Sequence, residues 1–209
     1  MEKFIEPIIY KYINEYIRPD NPYLKKVQYQ GKLLQNHDMS VGTEVGKLLG
    51  LLVTMKGATR VLEMGTCLGY SSIWLGTSLK ETGGRLISIE YDRQFCEITK
   101  KNVAAAGLDE VVEVIHGDTS QVIQSFTEPF DIIFQDSDKS LYPRMIDDCV
   151  RLLPPGGVLI TDDTLFKPMG VSKAMSEPIE NYNQLVNCHD QLRSTILPIG
   201  SGITLSIKI

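Results

Sequence analysis

Between residues 59 and 163, short apolar runs alternate with helical patterns, and each run closes on a glycine or an acid. "TRVLEMG" (59 to 65), "RLISIEYD" (85 to 92), "VVEVIHGD" (111 to 118), "FDIIFQDSDK" (130 to 139) and "VLITDD" (158 to 163) read as buried strands. The stretches between them, "SSIWLGTSLK", "RQFCEITKKNVAAAG" ended by Gly107, the short "SQVIQSF" and "YPRMIDDCVRLLPPGG", carry helical spacing or helix stops. Strands alternating with helices of this length predict βαβ units and a parallel sheet covered on both faces.

The flanks follow other rhythms. Phe4, Ile5, Ile8, Ile9, Tyr12, Ile13, Tyr16 and Ile17 recur at about 3.6 residues, which predicts an amphipathic helix over 3 to 18. A second helix is expected over about 22 to 36. A third follows "MSVGT", with Ser40 or Thr43 as its candidate cap and Gly57 at its end. After about residue 178 a helix, "IENYNQLVNCHDQL", leads into two apolar runs around "GSG", which predict a closing hairpin. With 209 residues and no internal repeat or linker, a single domain over 1–209 is expected, its N-terminal helices (1–36) serving as the acceptor or dimer region.

Composition narrows the class. Hydrophobic residues make up 43% and charged residues 22%, with no apolar run near the ~20 residues that span a bilayer, so a soluble protein without a membrane segment is expected. The first residues are interrupted by Glu2, Glu6 and Glu15 and lack a secretory pattern, which predicts a cytoplasmic location. Cys67, Cys96, Cys149 and Cys188 are scattered, as are His37, His116 and His189, so neither zinc nor a disulfide framework is indicated. A net charge of −5 argues against holding nucleic acid by phosphate neutralisation, although "YLKKVQYQGK" (23 to 32) is a local basic stretch.

Ligands of open α/β sheets bind beyond the carboxyl ends of the strands. At the first such end, "LEMGTCLGYSS", Gly65 and Gly69 are expected to let backbone approach a ligand, and Ser71 with the following helix N–H groups to favour an anionic part. Thr66, Cys67 and Leu68 separate the glycines, so the dinucleotide fingerprint is not met. Glu63 is placed to meet a cationic or hydrogen-bond-donating group, Glu90 to accept ribose hydroxyls, and Asp118 or Thr119 to lie near an adenine edge. Asp136 and Asp162 end neighbouring strands with Asp163 beside them. Crowded carboxylates repel unless a cation sits between them, and oxygen-only ligands suit a hard ion, Mg²⁺ first, then Mn²⁺ or Ca²⁺.

The strand ends "LEMGTCLGYSS", "ISIEYD" and "VIHGD" resemble the S-adenosylmethionine-binding core of class I methyltransferases. "DSDKSLYPRMIDDCVRLLPPGGVLITDDTLFKPMGV" (136 to 171) is similar to the cation-dependent O-methyltransferases, the catechol and caffeoyl-CoA type. That resemblance implies a Rossmann-like α/β fold with a mostly parallel seven-stranded sheet, helices on both faces and a C-terminal antiparallel hairpin. It places S-adenosyl-L-methionine against Met39, Val41, Glu63, Gly65, Gly69, Tyr70, Ser71, Glu90, Tyr91, Asp118, Thr119 and Asp136. It puts Asp136, Asp162 and Asp163 on the metal ligands, with Lys139 as general base and Asp136 beside it in the catalytic pair. The family usually has Asp-Asn where this chain has Asp162-Asp163.

The implied reaction is methyl transfer to a hydroxyl of a catechol-like phenolic acceptor chelated by the cation, with Tyr142, Phe166 and Met169 as candidate walls. The resemblance also implies a homodimer through the N-terminal helix. An alternative acceptor is a hydroxyuridine of tRNA, which needs a basic surface such as Lys25, Lys26, Lys32, Lys167 and Lys173 could provide. A further alternative, a non-catalytic S-adenosylmethionine-binding protein, would lack the carboxylates or the lysine, and both are present.

Overall fold

The computed structural model describes residues 7–35 and 40–209. Its sheet consists of β1 (Arg60–Met64), β2 (Arg85–Glu90), β3 (Val112–His116), β4 (Ile132–Gln135), β5 (Val158–Thr161), β6 (Leu192–Leu197) and β7 (Ile203–Lys208), in the order β3-β2-β1-β4-β5-β7-β6. The first five strands pair in parallel, and β7 runs antiparallel to both β5 and β6. The chain builds outward from β1 through β2 to β3, then returns to lay β4 on the other side of β1. That reversal opens a crevice at the carboxyl ends of β1 and β4.

The helices are α1 (Pro7–Tyr16), α2 (Leu24–Gln35), α3 (Thr43–Lys56), α4 (Tyr70–Thr82), α5 (Arg93–Ala105), α6 (Thr119–Val122), α7 (Tyr142–Leu152) and α8 (Lys173–Cys188). The alternation of β1 shows how both faces are filled. Val61 joins Leu49, Ile73 and Trp74 in the core under α3 and α4, while Leu62 and Met64 join Met145 and Cys149 of α7 on the other face. Each such side chain, fully buried, stabilises the fold by roughly 1.5–3 kcal/mol. Gly46 lets α3 lie close on α4, because a Cβ there would fall 2.2 Å from Trp74 Nε1. A glycine inside a helix costs about 1 kcal/mol, which the close packing offsets.

Several boundaries differ from those expected. The cap of α3 is Gly42, with φ 84 and no side-chain hydrogen bond, rather than Ser40 or Thr43. Thr43 turns its hydroxyl to Tyr70 OH instead, at 3.3 Å. α8 starts at Lys173, before the expected 178, and runs through Pro178. Residues 3–6 of the first expected helix lie outside the described residues. Cys96 and Cys149 are buried as small apolar residues would be, whereas Cys188 is exposed. Among the described residues no helix is long and apolar enough to cross a membrane.

Candidate active site

A cavity of about 1070 Å³ opens at the β1/β4 crevice. Its wall takes Gly65, Thr66, Cys67, Tyr70 and Ser71 from the turn between β1 and α4. Gly65 (φ 95) and Gly69 (φ 85) hold left-handed backbone that glycine adopts without strain. What crowds these glycines is the protein itself. A Cβ at Gly65 would fall 2.3 Å from the carbonyl oxygen of Asp136, and one at Gly69 would fall 2.9 Å from Thr99 Cγ2. The two glycines let β4 and α5 close on the turn, and of the two Gly65 also lines the cavity.

The acids of the first strand ends divide by task. Glu90 Oε2 accepts the backbone N–H of Thr66 (3.0 Å) and of Cys67 (2.8 Å) and the Thr66 hydroxyl (3.1 Å), while its Oε1 accepts from Asp92 N at 2.9 Å. The carboxylate so placed fixes the turn and still lines the cavity beside Tyr91. Glu63 points beneath the turn, fully buried, to the hydroxyls of Ser72 and Ser88, and is outside the cavity lining. Burial pushes its carboxyl up to about 7, against the hydrogen bonds from Ser71, Ser72 and Ser88. Asp118 caps α6 by accepting from Ser120 N and Oγ and is likewise outside the lining, which takes Thr119 instead. Val41 also lines the cavity, while Met39 lies outside the described residues.

At the next strand ends the expected juxtaposition is present. Gln135 pairs with Thr161 across β4 and β5, so Asp136 and Asp162 follow side by side. Asp163 adopts φ 66, a left-handed conformation that Asn and Asp tolerate better than other side chains. Lys139 Nζ lies 2.8 Å from Asp136 Oδ1 and 2.8 Å from Asp163 Oδ2, and bonds Tyr142 OH at 2.9 Å. Tyr142 OH in turn donates to Gln135 O at 3.3 Å.

Burial pulls the Lys139 pKa down, but the neighbouring Asp136, Tyr142 and Asp163 outweigh it and hold the group well above its ordinary value. Asp136 is pushed up to about 6 by burial, against Lys139, and Asp162 well above its usual range by burial and by the neighbouring Asp163 and Asp136. The downward shift that Lys139 would need to act as a base is thus not the state seen here. Tyr142 belongs to the core under α8, Met169 to the cavity wall, and Phe166 to both.

The family model described as O-methyltransferase matches residues 14–209. The chain belongs to the O-methyltransferase family. It is 32% identical to a catechol O-methyltransferase of Niastella koreensis over 76% of this chain and 75% of that protein. Among solved structures, an O-methyltransferase of Bacillus cereus in complex with S-adenosylhomocysteine is 28% identical, with a TM-score of 0.86 and 97% of each chain covered. TomG of Streptomyces achromogenes, an O-methyltransferase involved in tomaymycin synthesis and solved with S-adenosylmethionine, is 27% identical, with a TM-score of 0.87 over 100% of this chain and 99% of that one. This O-methyltransferase is therefore S-adenosylmethionine-dependent, and its sheet with the β5-β7-β6 antiparallel edge is the fold of those structures.

The cavity also draws on residues that sequence reasoning missed. Phe95 stands in the first turn of α5, Gln28 and Gly31 share a face of α2, and Gly200 and Ser201 come from the β6–β7 turn. The three-residue spacing of Gln28 and Gly31 is a usable signal for a shared helix face. The hairpin tip gave none, since only tertiary folding brings it over β5.

The acid cluster has the oxygen donors and the charge that a hard divalent ion takes, but its side chains as placed do not form a coordination site. Asp136, Asp162 and Asp163 set three carboxylates against one lysine in a largely buried place, and burial first, then the charges of Asp163 and Asp136, push the Asp162 pKa upward. Among the described residues, no three acidic, histidine or cysteine side chains are gathered closely enough to hold an ion as they stand. The Lys139 ammonium lies between two of them.

Proposed function

We propose that this O-methyltransferase moves the methyl group of S-adenosylmethionine to one hydroxyl of a catechol-like small molecule. The observation that carries the reading is the convergence, in one cavity, of the Gly65 turn with Asp136, Lys139, Asp162 and Asp163. The methyl-donor half and the acid cluster thus face the same space.

Asp136, Asp162 and Asp163 would hold a divalent cation, which when bound supplies positive charge that acidifies an adjacent hydroxyl and orients it. Ser71 and the N-terminus of α4 would receive the carboxylate of the methionine part. Glu90 keeps its Oε1 with one protein partner, Asp92 N, and so has capacity left for a ribose hydroxyl. Thr119 would border the adenine. Lys139 would take the phenolic proton as the neutral amine, its own proton first lost to solvent once the carboxylates no longer hold the ammonium, and Tyr142 OH would hold its Nζ in place. The reaction would require the oxygen to approach the methyl in line at about 3 Å with water kept out.

A small acceptor is favoured over tRNA by the cavity wall. α2 contributes Val27, Gln28 and Gly31 to it, none of them charged, while Lys25 and Lys26 are exposed outside it and Lys167 is paired with Glu180 at 2.8 Å. Exposed Ile8, Ile9, Tyr12 and Tyr16 of α1, with Leu51 and Met55 of α3, support the reading that the chain pairs with a second copy. Light scattering of the intact protein tests that, with a monomer as the contrary result.

The acceptor is tested by comparing caffeic acid with its analogue lacking one ring hydroxyl. Two adjacent hydroxyls should be required, with turnover lower by roughly 100-fold or more on the monophenol. Equal rates on both would remove the catechol reading.

A further inference from the structure

Lys139 is paired with two of the three aspartates of the acid cluster. An ammonium has three N–H donors, and Asp136 Oδ1, Asp163 Oδ2 and Tyr142 OH supply three acceptors at 2.8, 2.8 and 2.9 Å. The lysine side chain is 12% exposed and the two aspartates 20% each, so the pairs are only weakly screened by solvent. A hard ion approaches a carboxylate oxygen to about 2.1 Å. An ion sharing either oxygen that lies 2.8 Å from Nζ would therefore stand no more than about 5 Å from the ammonium. Two positive charges at that distance in a largely buried site repel strongly, and both draw on the Asp136 and Asp163 carboxylates.

We propose that Lys139 is the resident counter-ion of the acid cluster, and that a divalent cation competes with its ammonium for Asp136 and Asp163. Cation entry turns the lysine out of those ion pairs and frees it toward the acceptor side of the cavity. The proposal rests on the cation reading given above and adds a cost to cation binding that this chain sets itself. Residue 163 sharpens that cost. The left-handed φ of 66 accepts Asn or Asp alike, so the backbone does not choose between them. The carboxylate makes an ion pair with Lys139 that an amide cannot, so the Asp at this position tightens the lysine's hold as well as offering the ion a charge.

The test is Mn²⁺ binding to the full chain, followed by electron paramagnetic resonance, in wild type, Lys139→Met, Asp163→Asn and the double variant, with S-adenosylhomocysteine binding as the check on folding. Removing the competing ammonium should tighten Mn²⁺ by ~10-fold or more. Asp163→Asn should weaken Mn²⁺ by a larger factor beside Lys139→Met than in the wild-type background, where the Asp163 charge is already engaged. On the unsubstituted protein, the Lys139 ammonium signal in ¹⁵N-lysine NMR, protected by its three bonds, should be lost as Mg²⁺ saturates.

Equal or weaker Mn²⁺ binding by Lys139→Met, or a lysine signal that persists at saturating Mg²⁺, overturns the competition and leaves the cation site standing. Absence of Mn²⁺ binding in all four proteins overturns the cation reading itself and the competition with it.

Discussion

Gly65 lies directly beneath Asp136, so close that a Cβ on the glycine would stand 2.3 Å from the aspartate's carbonyl oxygen. The contact joins two parts of the cavity wall, since Gly65 begins the turn between β1 and α4 and Asp136 begins the acid cluster. Gly65→Ala must both hold φ 95 with a side chain and push backbone away, which should cost roughly 2–5 kcal/mol. Gly83→Ala is the control: its φ of 71 is also left-handed, yet nothing lies within 4 Å of a Cβ there. It should cost about 1 kcal/mol. Urea unfolding midpoints of the two variants check the difference, and equal losses would show that the Asp136 contact contributes nothing.

Glu63 gives the protein a pH-dependent stability. Below its ordinary pKa of 4.5 the carboxyl is neutral in both folded and unfolded chains. As pH rises from there to about 7, the unfolded chain ionises while the folded one keeps its proton, so stability falls. Above about 7 the loss is complete, at roughly 3 kcal/mol, since each tenfold change in proton affinity is worth ~1.4 kcal/mol. Glu63→Gln should remove this slope. Denaturant unfolding at pH 5 and pH 8.5 tests it, and a slope unchanged by the substitution would show that the proton is held elsewhere.

Glu90→Gln should weaken both the turn and the cofactor site. The carboxylate accepts the N–H groups of Thr66 and Cys67 in charge-assisted bonds, which an amide makes less strongly. A loss of about 1–2 kcal/mol of stability is expected, together with S-adenosylmethionine binding weaker by ~10-fold or more. Calorimetric titration reads the second effect. Intact cofactor affinity would restrict Glu90 to holding the turn.

Much of this is legible in the sequence where local pattern and tertiary role coincide. The strand from 59 to 65 and the acids ending "FQDSDK" and "LITDD" can be placed because period and punctuation alone set them on adjacent strand ends. The purpose of Gly65 and Gly69 is not legible, since a glycine looks the same whether a ligand or a neighbouring strand crowds it. Their place at strand ends points Glu63 and Asp118 at the ligand, but pleat alternation turns Glu63, inside β1, under α4, and Asp118 is engaged in capping α6. The ammonium of Lys139 between Asp136 and Asp163 depends on side-chain reach across two loops, which spacing does not encode. Pro178 suggests a helix boundary and lies inside α8, whose buried Ile179, Tyr182 and Val186 hold it to the core.

The most direct test of the account is S-adenosylmethionine-dependent methylation of caffeic acid by wild type and Asp162→Ala, each with Mg²⁺ and with EDTA. The account predicts turnover by wild type with Mg²⁺, its loss in EDTA and recovery on adding Mg²⁺, and a rate lower by roughly 100-fold or more in Asp162→Ala with cofactor binding retained. Wild-type turnover undiminished by EDTA, or full activity in Asp162→Ala, would contradict it.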